Sequence, residues 1–325
     1  MCDVTSLGKI AVQGPDATEL VNRIYTNPFA KLPIGKTRYG IMLRDDGIVL
    51  DDGTCWRISE DEYFITTSTA QAAKVMAWLE ELLQTRWNNL KVHITTVSEQ
   101  WAAVSLAGPK SRDLLKECVI NKNLLNNDGL PFMGFIQTKL KNDIPCRIAR
   151  ISFSGEMAFE IYTPSDYANK MMDILWNSAI KYDGCLYGLE ALGALRIEKG
   201  HVTGAEIDGR VSIDDVGLGR MASTKKSYIG SAMRKRGVLG NSDRETLVGI
   251  FPKNKDQTFD AGTILCEKDK IQGHGIGRIT SVTHSPELGH WIGLGFIKGG
   301  YEEWKNKIVI GADPIRNKNT ELNIV

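Results

Sequence analysis

No two of the six cysteines in this 325-residue chain, Cys2, Cys55, Cys118, Cys146, Cys185 and Cys266, fall within CxxC range. That spacing excludes zinc knuckles and thioredoxin-like redox motifs, which need paired thiolates close together in the chain. The five histidines, His93, His201, His274, His284 and His290, show no HxxxH spacing, so a metal site has no sequence signal. No apolar run approaches the ~20 residues needed to cross a bilayer. The opening MCDVTSLGKI has neither the basic nor the apolar region of a signal peptide. Net charge is only +1, so no whole-molecule field draws the chain to nucleic acid or to an anionic membrane. No GxGxxG opens a helical pattern, so the chain shows no dinucleotide site of its own. These absences lead us to expect a cytoplasmic protein with free, buried thiols rather than disulfides.

What is present is an ordinary globular mixture, 42% hydrophobic and 24% charged. The length exceeds one small core and suits two or three domains. Two segments resemble each other. Residues 7–24 read LGKIAVQGPDATELVNRI and residues 101–115 read WAAVSLAGPKSRDLL. Each is an alternating, strand-like run, then Gly-Pro, then a helical pattern, and proline suits a helix start because its missing N–H has no partner there. After the first copy come strand signals at Tyr39–Leu43, Ile48–Leu50, Cys55–Ile58 and Tyr63–Thr67, then a helix with Val75, Met76, Leu79, Leu82 and Leu83 on one face. Strand-like runs return at Lys91–Val97 and Trp101–Leu106. After the second copy, strands are expected at Phe135–Leu140, Cys146–Phe153 and Ala158–Tyr162, followed by a helix over Ser165–Ile180. The pattern reads as one α+β unit duplicated, giving two related sheets with a cleft. A further helix around Leu189–Lys199 stops at Gly200. From Thr246 onward, short runs such as LVGIF, IGRIT, WIGLGFI and KIVIG, separated by turn residues, read as an all-β module. The basic, Gly- and Ser-containing stretch Lys225–Arg244 reads as a solvated linker between them.

The stretch RYGIMLRDDGIVLDDG, residues 38–53, carries the strongest chemical signal. An apolar run enters a charged turn, and a second apolar run leads into the pair Asp51 and Asp52. Taken alone, the pair reads first as ordinary turn chemistry and only second as buried charge, which is expensive unless it is paired or used.

The chain resembles the folate-dependent aminomethyltransferases, the family of the glycine cleavage T-protein, and within it the C-terminal folate domain of the α subunit of heterotetrameric sarcosine oxidase. Matching stretches include CDVTSLGKIAVQGPDATELVNRIYTN, GKTRYGIMLRDDGIVLDDG, RISFSGEMAFEIYTP, YGLEALGALRIEKG, IDDVGLGR and GRITSVTHSPELGHWIGLGFIKGG. The resemblance implies an α+β, T-protein-like cloverleaf: a first α+β domain over 1–105, a second over 106–225 completing a folate cleft, and a C-terminal β-barrel over 236–325. It implies tetrahydrofolate as cofactor and transfer of an aminomethyl or formaldehyde carbon to form 5,10-methylenetetrahydrofolate, with a methylamine-derived donor and flavoprotein subunits of a sarcosine-oxidase-type complex as partners. A stand-alone glycine-cleavage-type aminomethyltransferase and a non-catalytic folate-binding or structural module are the alternatives.

Residue by residue, the resemblance makes Asp51 the catalytic acid. A carboxylate there can stabilise positive charge on the incoming carbon and accept a proton. It sets Glu160 against the paired donors of the pterin, Tyr39 beside the pterin, Thr67 in its pocket, and Arg196 where a guanidinium meets the anionic glutamyl tail. The chain departs from the family in several places. Phe159 stands for the usual tyrosine before Glu160, and Arg220 stands where T-proteins have tryptophan. His201 replaces the cysteine of a related iron–sulfur maintenance protein. Relatives also carry residues upstream of the CDVTSLGKI equivalent, where here Cys2 follows Met1.

Overall fold

Glycine with a left-handed backbone ends the first strand of each repeat. In the computed structural model, which describes residues 1–241, 243–271 and 273–325, Gly14 has φ +133° and Gly108 φ +124°, backbone that residues with a side chain rarely adopt. Each turn then closes in the same way, with Ala17 N donating to Gly14 O at 2.9 Å and Ser111 N to Gly108 O at 3.1 Å.

The first copy comprises β1 (Cys2–Asp3), β2 (Gly8–Gln13), α1 (Ala17–Ile24), β3 (Thr37–Leu43), β4 (Val49–Arg57), β5 (Glu62–Thr67) and α2 (Ala72–Thr85). The second comprises β6 (His93–Thr96), β7 (Trp101–Ala107), α3 (Ser111–Cys118), β8 (Phe135–Leu140), β9 (Ile144–Ala149), β10 (Ala158–Pro164) and α4 (Ala168–Ala179). Two five-stranded sheets result, ordered β3-β4-β5-β2-β6 and β8-β9-β10-β7-β1. They correspond strand for strand except at one edge, where each borrows from the other copy. The strand leading into the second repeat, β6, pairs with β2, and the strand leading into the first, β1, pairs with β7. Lys9 is fully buried at this crossing, and its ammonium donates to Thr5 O, Leu7 O and Ser98 O at 2.6, 3.0 and 3.3 Å. The expected boundary between residues 105 and 106 falls inside β7.

Helix α2 turns Val75, Leu79 and Leu82 inward, each worth about 1.5–3 kcal/mol of burial, while Met76 and Leu83 stay at the margin. The two sheets face each other across an aromatic layer. Trp56 of β4 lies 5.5 Å from Phe64 of β5, 5.2 Å from Phe135 of β8 and 5.1 Å from Tyr162 of β10. Such tilted and edge-on pairs add to the area they bury.

Both repeats belong to one compact unit, Met1–Met42 with Asp51–Leu192, and the second unit is Leu43–Leu50 with Gly193–Val325. Helix α5 (Leu189–Lys199) ends at Gly200 as expected. The all-β segment contains β11 (Glu245–Pro252), β12 (Ile264–Glu267), β13 (Gly277–Ser285), β14 (His290–Lys298), the short helix α6 (Gly300–Trp304), β15 (Val309–Asp313) and β16 (Lys318–Ile324). The strands close as a barrel in the order β11-β14-β13-β12-β15-β16, and closure removes the exposed sheet edges. Among the described residues, no helix is long and apolar enough to cross a membrane.

Two expectations change. Ile48–Leu50 and Cys55–Ile58 are not separate strands but parts of β4, so Asp51 and Asp52 lie inside a strand rather than at its end. Lys225–Arg244 is not a solvated linker. Tyr228 and Ile229 are buried, the Arg234 guanidinium holds both oxygens of Asp214 at 2.6 and 2.7 Å, and Arg244 pairs with buried Asp215. Acids upstream of this stretch neutralise its charge and pin it down.

Candidate functional site

Alternation along β4 sends neighbouring side chains to opposite faces of the sheet, and the adjacent acids meet different partners. Asp51 is only 2% exposed. Its Oδ1 accepts from the Ser68 hydroxyl at 2.7 Å and its Oδ2 from the Ser68 backbone N–H at 3.0 Å. Among the described residues no cation pairs with it. Burial, opposed by the Ser68 donors and reinforced by the neighbouring Asp52 charge, pushes its carboxyl up to about 7. Asp52 accepts from the Tyr39 hydroxyl at 2.7 Å. That phenol is held well above the ordinary tyrosine value by burial and then by the Asp52 carboxylate, so it remains a donor. A buried carboxyl that changes charge near neutrality, beside a second acid, is the usual arrangement of an acid–base site.

Thr67, the last residue of β5, is buried, and its hydroxyl donates to Ser68 O at 3.2 Å. A side chain at Gly8 would collide with that hydroxyl, since its Cβ would fall 2.1 Å away. Glycine therefore lets Thr67 sit against β2.

Glu160 lies on β10 of the other sheet, two residues from Tyr162, so the two side chains share a face. Its Oε2 accepts from the Tyr162 hydroxyl at 2.9 Å, and its Oε1 makes no hydrogen bond to the described residues. Burial raises its carboxyl above the ordinary range, with the Tyr162 donor opposing. A half-buried carboxylate with one oxygen unused can take a ligand N–H without giving up its own partner.

Arg196 belongs to the second unit. Its Nη1 donates to Glu206 at 2.8 Å and to His201 O at 3.1 Å, and its Nη2 donates to Ser281 at 2.5 Å. Both Arg196 and Glu206 are buried. This is a buried ion pair, which commits three of the five guanidinium N–H donors within the second unit.

Of the five expected residues, Tyr39 meets Asp52, Asp51 meets Ser68, and Thr67 precedes Ser68 as the last residue of β5. Glu160 stands on the second sheet of the same unit. Sequence reasoning passed over Ser68. It lies seventeen positions from Asp51 in a run of threonines and serines that no motif distinguishes, and only the pairing of β4 with β5 brings it to the acid.

Comparison with known proteins identifies this architecture. Residues 1–226 match the GCVT N-terminal domain, and residues 246–324 match the glycine cleavage T-protein C-terminal barrel domain. The chain belongs to the glycine cleavage T-protein family. An aminomethyltransferase of Listeria monocytogenes serotype 4a is 30% identical over 334 residues, covering 99% of this chain and 84% of that protein. The sarcosine oxidase α subunit of Rhizobium meliloti is 39% identical over 314 residues, covering 95% of this chain but 32% of that subunit. The α subunit from Corynebacterium sp. strain P-1 is also 39% identical, covering 92% of this chain and 31% of its own length. The chain thus spans about a third of the sarcosine oxidase subunits it matches. The crystal structure of glycine cleavage system aminomethyltransferase T from Bartonella henselae superposes with a TM-score of 0.83 at 23% identity, over 99% of this chain and 84% of that one. The fold is the T-protein-like α+β arrangement with a C-terminal barrel.

Proposed function

We propose that this chain binds tetrahydrofolate and transfers a one-carbon unit to it as the folate domain of a sarcosine-oxidase-type system, forming 5,10-methylenetetrahydrofolate. The observation that carries the reading is Asp51: a carboxyl buried with no cation beside it among the described residues, held by two donors of Ser68 and poised near neutrality. A group of that kind is costly to fold around, and a proton-transfer role at neutral pH accounts for it. The donor set suits a reduced pterin, because Glu160 has an acceptor oxygen to spare for the amino group and ring N–H.

Tetrahydrofolate, when bound, supplies the nitrogen that takes up the carbon. In its ionised form, Asp51 stabilises positive charge on the incoming carbon and accepts the proton that nitrogen releases. Asp52, held by the Tyr39 hydroxyl, raises the Asp51 proton affinity through its charge. Thr67 lines the same strand end. We assign Arg196 a bracing role in the barrel unit, through its pair with Glu206.

The one-carbon donor is a methylamine-derived iminium or formaldehyde, and the oxidation that generates it belongs to flavoprotein subunits. The stand-alone aminomethyltransferase reading draws on the Listeria relative, most of whose length this chain matches. One assay separates the two. Folate-dependent product should appear with a sarcosine-oxidising flavoprotein supplying the carbon, and Asp51→Asn should cut its rate by about 100-fold or more, the size usual for a lost acid–base group. Product from an aminomethyl carrier without any flavoprotein favours the alternative. An unchanged rate in the variant removes Asp51 from the chemistry.

A further inference from the structure

The two repeats were built on one plan, so positions where they differ in kind point to what only one of them does. Pairing of Cys55 with Ile65 in the first sheet and of Ile148 with Ile161 in the second aligns β4 with β9 and β5 with β10. Counting back four residues from Cys55 and from Ile148 sets Asp51 against Ile144, a buried apolar residue. At the other end, β5 and β10 each run into a short 3-10 turn, over Thr69–Gln71 and Ser165–Tyr167. The residue heading the first turn is Ser68, and the one heading the second is Pro164. The second repeat thus has a hydrocarbon in place of the acid, and a residue with neither hydroxyl nor N–H in place of its donor. Acid and serine occur together in one copy and are absent together from the other.

Ser68 also gives up its usual task. A serine heading a helical turn ordinarily accepts a backbone N–H from the turn it starts. The Ser68 side chain makes no such bond and is directed instead at Asp51 Oδ1. Its backbone N–H, free because the β5 ladder with β2 ends at Thr67 paired with Gly8, takes Oδ2. One residue thereby holds both oxygens and fixes the plane of the carboxyl.

We propose that Ser68 is the positioning residue of the acid: it orients the Asp51 carboxylate for one-carbon transfer and sets the pH at which that carboxylate ionises. This rests on the reading of Asp51 as the proton acceptor. The other groups facing Asp51 are Asp52 on its own strand, Tyr39 on β3 and Tyr25 ahead of β3, whose phenol is also influenced by the Asp51 charge. The Asp52 backbone N–H also favours the ionised form of Asp51, but none of these side chains donates to it, so the Ser68 hydroxyl is the side-chain donor that does so.

The test is Ser68→Ala beside Ser68→Thr in the intact protein. Carboxyl carbon NMR of labelled aspartate, with the Asp51 signal assigned by its loss in Asp51→Asn, reads the titration without any folate. Ser68→Ala should raise the Asp51 midpoint by about one unit, the size of a lost hydrogen bond to a carboxylate, and Ser68→Thr should return it close to the wild-type value. In turnover, the acid limb of kcat should move alkaline by the same amount in Ser68→Ala, and the rate should recover at high pH. KM for tetrahydrofolate should stay within about twofold of the wild type, because the residue acts through Asp51. An unmoved Asp51 midpoint in Ser68→Ala, or a kcat lowered equally at every pH, overturns the proposal. If the titration shifts as stated while the wild type makes no folate-dependent product, it is the functional reading that fails.

Discussion

Replacing Asp51 by asparagine should make the protein more stable at alkaline pH while abolishing its chemistry. The folded carboxyl is raised from 3.8 to about 7, so the folded state binds this proton more tightly than the unfolded chain. Stability is therefore greatest below about pH 4, falls as pH climbs from about 4 to about 7, and is flat above. Three units at about 1.4 kcal/mol each set an upper bound of about 4 kcal/mol for that loss. Asparagine does not titrate, but its amide can satisfy only one of the two Ser68 donors, a pH-independent cost of about 1 kcal/mol. Asp51→Asn should thus lie within about 1 kcal/mol of the wild type near pH 4.5 and about 2–3 kcal/mol above it near pH 8.5. Thermal unfolding followed by the fluorescence of Trp56, buried in the aromatic layer of the same unit, should show a midpoint raised by about 5–10 °C at the higher pH, since units of this size shift by about 2–4 °C per kcal/mol. A difference between variant and wild type that does not change with pH would refute the reasoning. It would mean that Asp51 is solvated or is paired by a group that moves with it.

Two further predictions concern the scaffold. Arg196→Met strands buried Glu206 without its cation and should destabilise the barrel unit by about 3–5 kcal/mol, whereas Arg196→Met with Glu206→Gln should recover most of that loss in denaturant titration. Gly14→Ala and Gly108→Ala both force a side chain into left-handed backbone, but only the Cβ at Gly14 would strike another group, Lys91 O at 2.4 Å, while Gly108 faces open space. Hydrogen-exchange or melting measurements should show about 1–3 kcal/mol of loss at Gly108 and a clearly larger loss at Gly14.

Much of the architecture was legible because it rests on local signals. The Gly-Pro pairs mark two strand-to-helix turns, the spacing of Val75, Leu79 and Leu82 marks α2, and the short runs after Thr246 mark a sheet that closes on itself. What stayed hidden is non-local. Nothing in residues 2–3 or 93–96 says that each edge strand pairs with the other repeat, since that choice depends on which backbone edge remains open after folding. The packing of Lys225–Arg244 was missed because its cations pair with Asp214 and Asp215, and composition cannot reveal the partner. At the site, Asp51 stood out as an acid following an apolar run, while Tyr39 and Glu160 were reached through the family resemblance. Ser68 did not, because a serine after a strand looks like any turn residue until the acid it holds is seen beside it. The actual partner of Arg196 was not legible for a similar reason: Glu206 lies ten residues on, past the helix end.

The most direct measurement is calorimetric titration of the intact protein with tetrahydrofolate. The account predicts binding at micromolar concentrations that weakens by about tenfold or more in Glu160→Gln, where one acceptor for the pterin N–H groups becomes a donor. Titration without heat or saturation in the wild type, or identical binding by Glu160→Gln, would contradict it.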